Sequence, residues 1–151
     1  MISRLTVSRS HALTPSRMKY LPALAILTIG SWTSSIADRK DIQLDNNRFS
    51  PSMITAQAGD TLVFTNGRGG PHNVQFAEDS ISDAVHRLLD AAMPDRPKTA
   101  WSRNIQLAGP LLVLNGDTYK VIVPALPPGR YRFFCSPHVG GGMRGELIVV
   151  P

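Results

Sequence analysis

Three residues able to bind a soft metal crowd into one run, Cys135-Ser136-Pro137-His138-Val139-Gly140-Gly141-Gly142-Met143, and a fourth, His72, stands far upstream in Pro71-His72-Asn73. A thiolate and two imidazoles favour a trigonal plane, and a thioether favours a long axial contact. Together they make the donor set of a blue-copper electron-transfer site. The spacing allows closure: a tight turn through Pro137 returns His138 towards Cys135, and the glycines at 140–142 let the chain bring Met143 back. Each residue alone has a blander reading. An isolated cysteine is most often a buried core thiol, a lone histidine is structural or solvated, and a methionine packs in the core. The four together point to a metal. Asn73 has two readings, an amide that stabilises a turn or a partner of the groups around the sulfur.

The elements that must position these donors read as strands. Turn signals recur at Asn46-Asn47, Gly59-Asp60, Asn66-Gly67, Asn115-Gly116-Asp117 and Pro127-Pro128-Gly129, with alternating or β-branched runs between them. The pattern predicts strands at 41–45, 53–58, 61–66, 72–76, 118–124, 130–135 and 145–150. Alternation puts Tyr131, Phe133 and Cys135 on one inward face, and His72, Val74 and Phe76 on another. Many short strands without alternating helices predict an all-β, Greek-key, two-sheet sandwich. One helix is expected within 80–92, where Ile81, Ala84, Val85, Leu88, Leu89 and Ala92 recur at helical spacing and Ser80 with Asp83 forms a capping box. The helix lies in a long insertion, 77–110, in which Trp101 reads as a cover over apolar surface. His86 falls on the polar side of the helix with Asp83, Arg87 and Asp90, and is expected to be solvated rather than a ligand.

The chain has 151 residues, 42% of them apolar and 18% charged, the bounds of a single globular domain. Its one cysteine excludes an internal disulfide, a zinc finger or an iron–sulfur cluster. No apolar run reaches the length of about 18 residues that a membrane-spanning helix needs. The net charge of +5 invites a nucleic-acid partner, but four of the basic residues, Arg4, Arg9, Arg17 and Lys19, precede residue 38 with no acidic one among them. Beyond that point 12 basic residues face 11 acidic ones, so no nucleic-acid partner is expected. The front of the chain reads as a secretory signal over 1–37: basic residues to Lys19, an apolar core at 20–30, and Ser35-Ile36-Ala37 as a small-x-small cleavage site. Translation starts at Met1 or at Met18, and 38–151 is the domain left after cleavage, with no integral membrane segment.

Pro71-His72-Asn73-Val74, the stretch Tyr131-Arg132-Phe133-Phe134-Cys135-Ser136-Pro137-His138 and Gly142-Met143-Arg144-Gly145 resemble the plastocyanin-like members of the cupredoxin family. The resemblance implies a type 1 copper ion held by His72, Cys135, His138 and Met143, with Asn73 hydrogen-bonding near the sulfur. It also implies a His138 ring edge that emerges through an apolar surface where redox partners such as cytochromes, oxidases or reductases dock transiently. Two departures stand out: the long segment between His72 and Cys135, and Phe134 where photosynthetic members usually carry tyrosine. The function expected is that of an exported, periplasmic or extracellular, monomeric carrier of single electrons, and not an enzyme. Past residue 37 only His72, His86 and His138 remain, too few for a second copper centre in the same chain. A copper carrier or storage protein of the exported compartment is the alternative.

Overall fold

The structure, a computed structural model, describes residues 36–95 and 107–151. The predicted leader, apart from Ile36 and Ala37, and Trp101 lie outside these residues. Eight strands form among them: β1 Arg39–Asp45, β2 Arg48–Ser50, β3 Met53–Ala56, β4 Thr61–Asn66, β5 Gln75–Phe76, β6 Thr118–Ile122, β7 Gly129–Phe134 and β8 Arg144–Val149. They make two mixed sheets in the orders β2-β1-β4-β6 and β3-β8-β7-β5. The pairings of β1 with β4 and of β3 with β8 are parallel; the others are antiparallel. The predicted two-sheet sandwich is therefore present.

Alternation decides what the sheets bury. In β7, Tyr131 and Phe133 face in while Arg130 and Arg132 face water, and Cys135 continues the inward set one residue past the strand. Phe133 stands at the centre of the core, its ring edge-on to Phe49, Phe64 and Phe76 at centroid distances of 4.9, 5.8 and 5.9 Å. Edge-to-face geometry suits the ring quadrupoles and adds to the burial of four large side chains. This packed centre lies two residues from Cys135, so the metal end of the sandwich rests on its most rigid part.

Several elements depart from expectation. The run 72–76 is a strand only at Gln75–Phe76; upstream, His72 bridges to Leu112, its N–H donating to the Leu112 carbonyl at 3.1 Å and its carbonyl accepting at 2.8 Å. The 107–112 return accompanies the segment from His72 to Phe76 through isolated bridges, β7 joins only at Gln75–Phe76, and Asn73 turns inward beside His72 and Val74 instead of alternating outward. The helix α1, Asp83–Ala92, falls within the predicted span, but Ser82 and not Ser80 caps it, accepting the Val85 N–H at 3.4 Å. Val85 and Leu89 are its buried residues, Met93 at its C-cap is buried too, and Leu88 is exposed. His86 is half-buried, with Nε2 3.3 Å from the Glu78 carboxylate, in place of the solvated position expected from its helical face.

Candidate metal centre

Cys135, His138 and Met143 are held by a ring of backbone hydrogen bonds among themselves. The His138 N–H donates to the Cys135 carbonyl at 3.1 Å, the Met143 N–H to the His138 carbonyl at 3.2 Å, and the Cys135 N–H to the Met143 carbonyl at 3.1 Å. The sequence makes this possible. Pro137 starts a 3-10 turn over Ser136–Gly141, and Gly142, at φ 82°, reverses the chain in a left-handed conformation that favours glycine. The Cys135 Sγ lies 3.4 Å from His138 Nδ1, and the His72 and His138 rings stand 4.7 Å apart. Cys135, His72 and Met143 are fully buried and His138 is half-buried, so His138 alone of the four reaches towards the surface.

The segment ahead of β5 brings His72. Its ring faces two oxygens, with Nδ1 2.8 Å from the Asn66 Oδ1 and Nε2 2.7 Å from the Asn46 carbonyl. Both oxygens are acceptors, so a ring nitrogen that carries a proton donates to its oxygen, and one that binds a metal must first turn away from its oxygen. Asn66 is fixed by donating from Nδ2 to the Leu114 carbonyl at 2.9 Å. Asn66 and the Asn46 carbonyl are contributors that sequence reasoning missed. The available signal was an asparagine on the inward-facing last position of β4, hidden because Asn66-Gly67 also reads as a turn.

Asn73 clamps the cysteine loop from the opposite side. Its Oδ1 accepts the Ser136 N–H at 2.8 Å, its Nδ2 donates to Ser136 Oγ at 3.2 Å, and Ser136 Oγ donates onward to Gln75 Oε1 at 2.5 Å. The backbone N–H groups of Asn73 and His138 lie close enough to the Cys135 sulfur to favour its thiolate. Burial pushes the Cys135 thiol above its ordinary range, and those two amides oppose it without reversing the shift. Burial, followed by the proximity of His72, pushes His138 down. Both shifts favour uncharged groups, so a bound cation is what would hold the sulfur as thiolate here. Asn73→Ala is expected to cost about 1–3 kcal/mol by leaving the Ser136 N–H unpaired, a loss measurable by urea unfolding of the metal-free protein.

These residues fit copper by their chemistry: a soft sulfur stands 3.4 Å from one imidazole, the second imidazole ring lies 4.7 Å from the first, and a thioether is tied to the same loop. Among the described residues no three His, Cys, Asp or Glu side chains are arranged to hold a metal ion as they stand, His72, Cys135 and His138 included, because both ring nitrogens of His72 face oxygens. The family described as "Copper binding proteins, plastocyanin/azurin family" matches residues 38–150. The chain belongs to that family. It is 42% identical to a plastocyanin of Vicia faba over 101 residues, 67% of this chain and 86% of that one. It is 30% identical to a chloroplastic plastocyanin of Chlamydomonas reinhardtii over 153 aligned positions, 97% of this chain and 93% of the other. A solved plastocyanin from Dryopteris crassirhizoma superposes with a TM-score of 0.55 at 28% identity, covering 74% of this chain and all of the fern protein. The chain is thus a plastocyanin-like, blue-copper electron carrier and not an enzyme. No helix of the described residues is long and apolar enough to cross a membrane.

Proposed function

We propose that the protein is exported, is cleaved after Ala37, and carries one electron at a time on a single type 1 copper ion held by His72, Cys135, His138 and Met143. The observation that carries this reading is the buried Cys135 sulfur, 3.4 Å from His138 Nδ1 and close to two backbone N–H groups, in a loop whose three donors are hydrogen-bonded to one another. When bound, copper supplies a Cu(I)/Cu(II) couple. The chain's own part is to keep the donors still and dry. The three-way backbone ring around Cys135, His138 and Met143 resists movement between oxidation states, and the burial of Cys135, His72 and Met143 excludes water and leaves no open position for a substrate. The half-buried His138 ring is the path by which the electron leaves to a cytochrome, oxidase or reductase docked there as a transient partner of the monomer.

The test is Cu(II) titration of the purified protein followed by visible and EPR spectroscopy, reduction with ascorbate and reoxidation. One equivalent of copper should give an intense blue band that bleaches and returns over repeated cycles. A colourless adduct would overturn the type 1 assignment. Release of copper on reduction would assign the protein to copper carriage or storage instead.

A further inference from the structure

The charged side chains of the described residues divide by position. Over most of the sandwich the cations are paired: Arg39 with Asp41 at 2.6 Å, Lys40 with Asp38 at 2.7 Å, Arg132 with Asp79 at 2.8 Å, and Arg130 with Glu146. Around the donor loops they are not. Arg48, Arg68 and Arg144 are exposed, and their guanidinium groups have no ion pair or hydrogen bond among the described residues.

Each of the three borders a different loop of the site. Arg144 directly follows Met143 and shares a groove with Arg48 and Gly142. The Arg68 carbonyl accepts the Asn46 N–H at 2.6 Å, and the Asn46 carbonyl contacts His72 Nε2, which puts Arg68 one link from a donor. The nearby carboxylates are turned to the backbone. Asp45 Oδ1 accepts the Arg68 N–H at 2.8 Å, and Asp117 Oδ2 accepts the Val113 and Leu114 N–H groups at 3.0 and 2.7 Å. Of the remaining described cations without an ion pair, Arg87 lies on α1 and Lys120 in the middle of β6. Past position 37 the balance is 12 basic against 11 acidic residues, so within that part the local arrangement, not the net charge, decides what approaches the site.

We propose that Arg48, Arg68 and Arg144 form a cationic collar around the electron exit, and that the redox partner is a protein presenting carboxylates around its own redox centre. This rests on the electron-carrier reading and adds the partner's chemistry to it. Unpaired exposed cations keep their full charge for an incoming anion, whereas paired ones cancel locally, so the collar steers acidic faces towards His138 and repels basic ones. Salt weakens it, because the Debye length shrinks from about 30 Å at 0.01 M to about 3 Å at 1 M.

The experiment is stopped-flow oxidation of the copper(I)-loaded full chain by two probes of opposite charge, the hexacyanoferrate(III) anion and the tris(phenanthroline)cobalt(III) cation. In each case one electron leaves Cu(I) and reduces the probe metal from the +3 to the +2 state. Oxidation by the anion should slow by about tenfold as ionic strength rises from 0.01 to 0.5 M, within the range of electrostatic steering. Oxidation by the cation should not slow. The triple variant Arg48→Glu, Arg68→Glu, Arg144→Glu, with its blue band intact, should reverse the two salt dependences. Lysine at the three positions should restore them, and Lys120→Glu should leave them unchanged. Equal salt dependence for both probes, or no change in the triple variant, overturns the collar while leaving the electron carrier intact. A protein whose colour returns with neither probe overturns the carrier reading and the collar together.

Discussion

Changing Cys135 to serine is expected to abolish the blue absorption of the copper-loaded protein while leaving the sandwich folded. The band requires a thiolate bound to Cu(II), and this is the only sulfur of that kind in the chain. Serine keeps the backbone N–H that donates to the Met143 carbonyl and the carbonyl that accepts from His138, so the loop retains its hydrogen-bonded ring. The measurement is the visible spectrum with one equivalent of Cu(II), compared with near-ultraviolet circular dichroism as a check of folding. The band should fall to background. His86→Gln is the matching control: His86 approaches Glu78, away from the donors, and its replacement should leave the colour unchanged. A blue Cys135→Ser protein would show that the sulfur is not a ligand.

Truncating Phe133 to alanine should cause the largest loss of stability among single core changes, about 3–5 kcal/mol by urea unfolding. Its ring meets three others, and a cavity there cannot collapse easily because Phe49, Phe64 and Phe76 belong to different strands or sheets that constrain one another. The effect should reach the metal, since Cys135 begins two residues later. Copper affinity is expected to fall together with stability, whereas Cys135→Ser loses the colour with a folded core. A Phe133→Ala protein within about 1 kcal/mol of the parent would mean that the core repacks around the lost ring.

The parts legible in the sequence are those written in local patterns. Alternation in 130–135 fixes which side of β7 is buried and therefore the direction of Cys135, and the short loop to Met143 leaves few ways to bring its donors together. The conformation of His72 is not legible in the sequence. A strand reading of 72–76 needs a continuous ladder, and here the 107–112 run meets the segment only through isolated bridges at His72 and Gln75, while β7 joins at Gln75–Phe76 alone. The three-residue β2 is too short for any period to register. The parallel pairings of β1 with β4 and β3 with β8 join segments whose partners no local pattern names. At position 145 the requirement is tertiary: a Cβ there would collide with the Phe133 ring, so glycine is needed for packing, and its neighbours in sequence give no hint of that. The Ser82 cap was obscured by Ser80, an equally good capping residue two positions earlier.

The place of β8 between β3 and β7 also governs when the Cys135 loop can close during folding. The last of the described strands in chain order is an interior strand, and until residues 144–149 pair, β3 and β7 each lack a neighbour and present an open edge. Pairing a C-terminal strand with one some 90 positions earlier is a long-range closure, the slow kind in folding. Three donors lie immediately ahead of that strand, and the Cys135 N–H finds the Met143 carbonyl only when β7 and β8 have zipped together. The pairing of β7 with β8 and the closing of the Cys135–Met143 loop are therefore a single late event in folding.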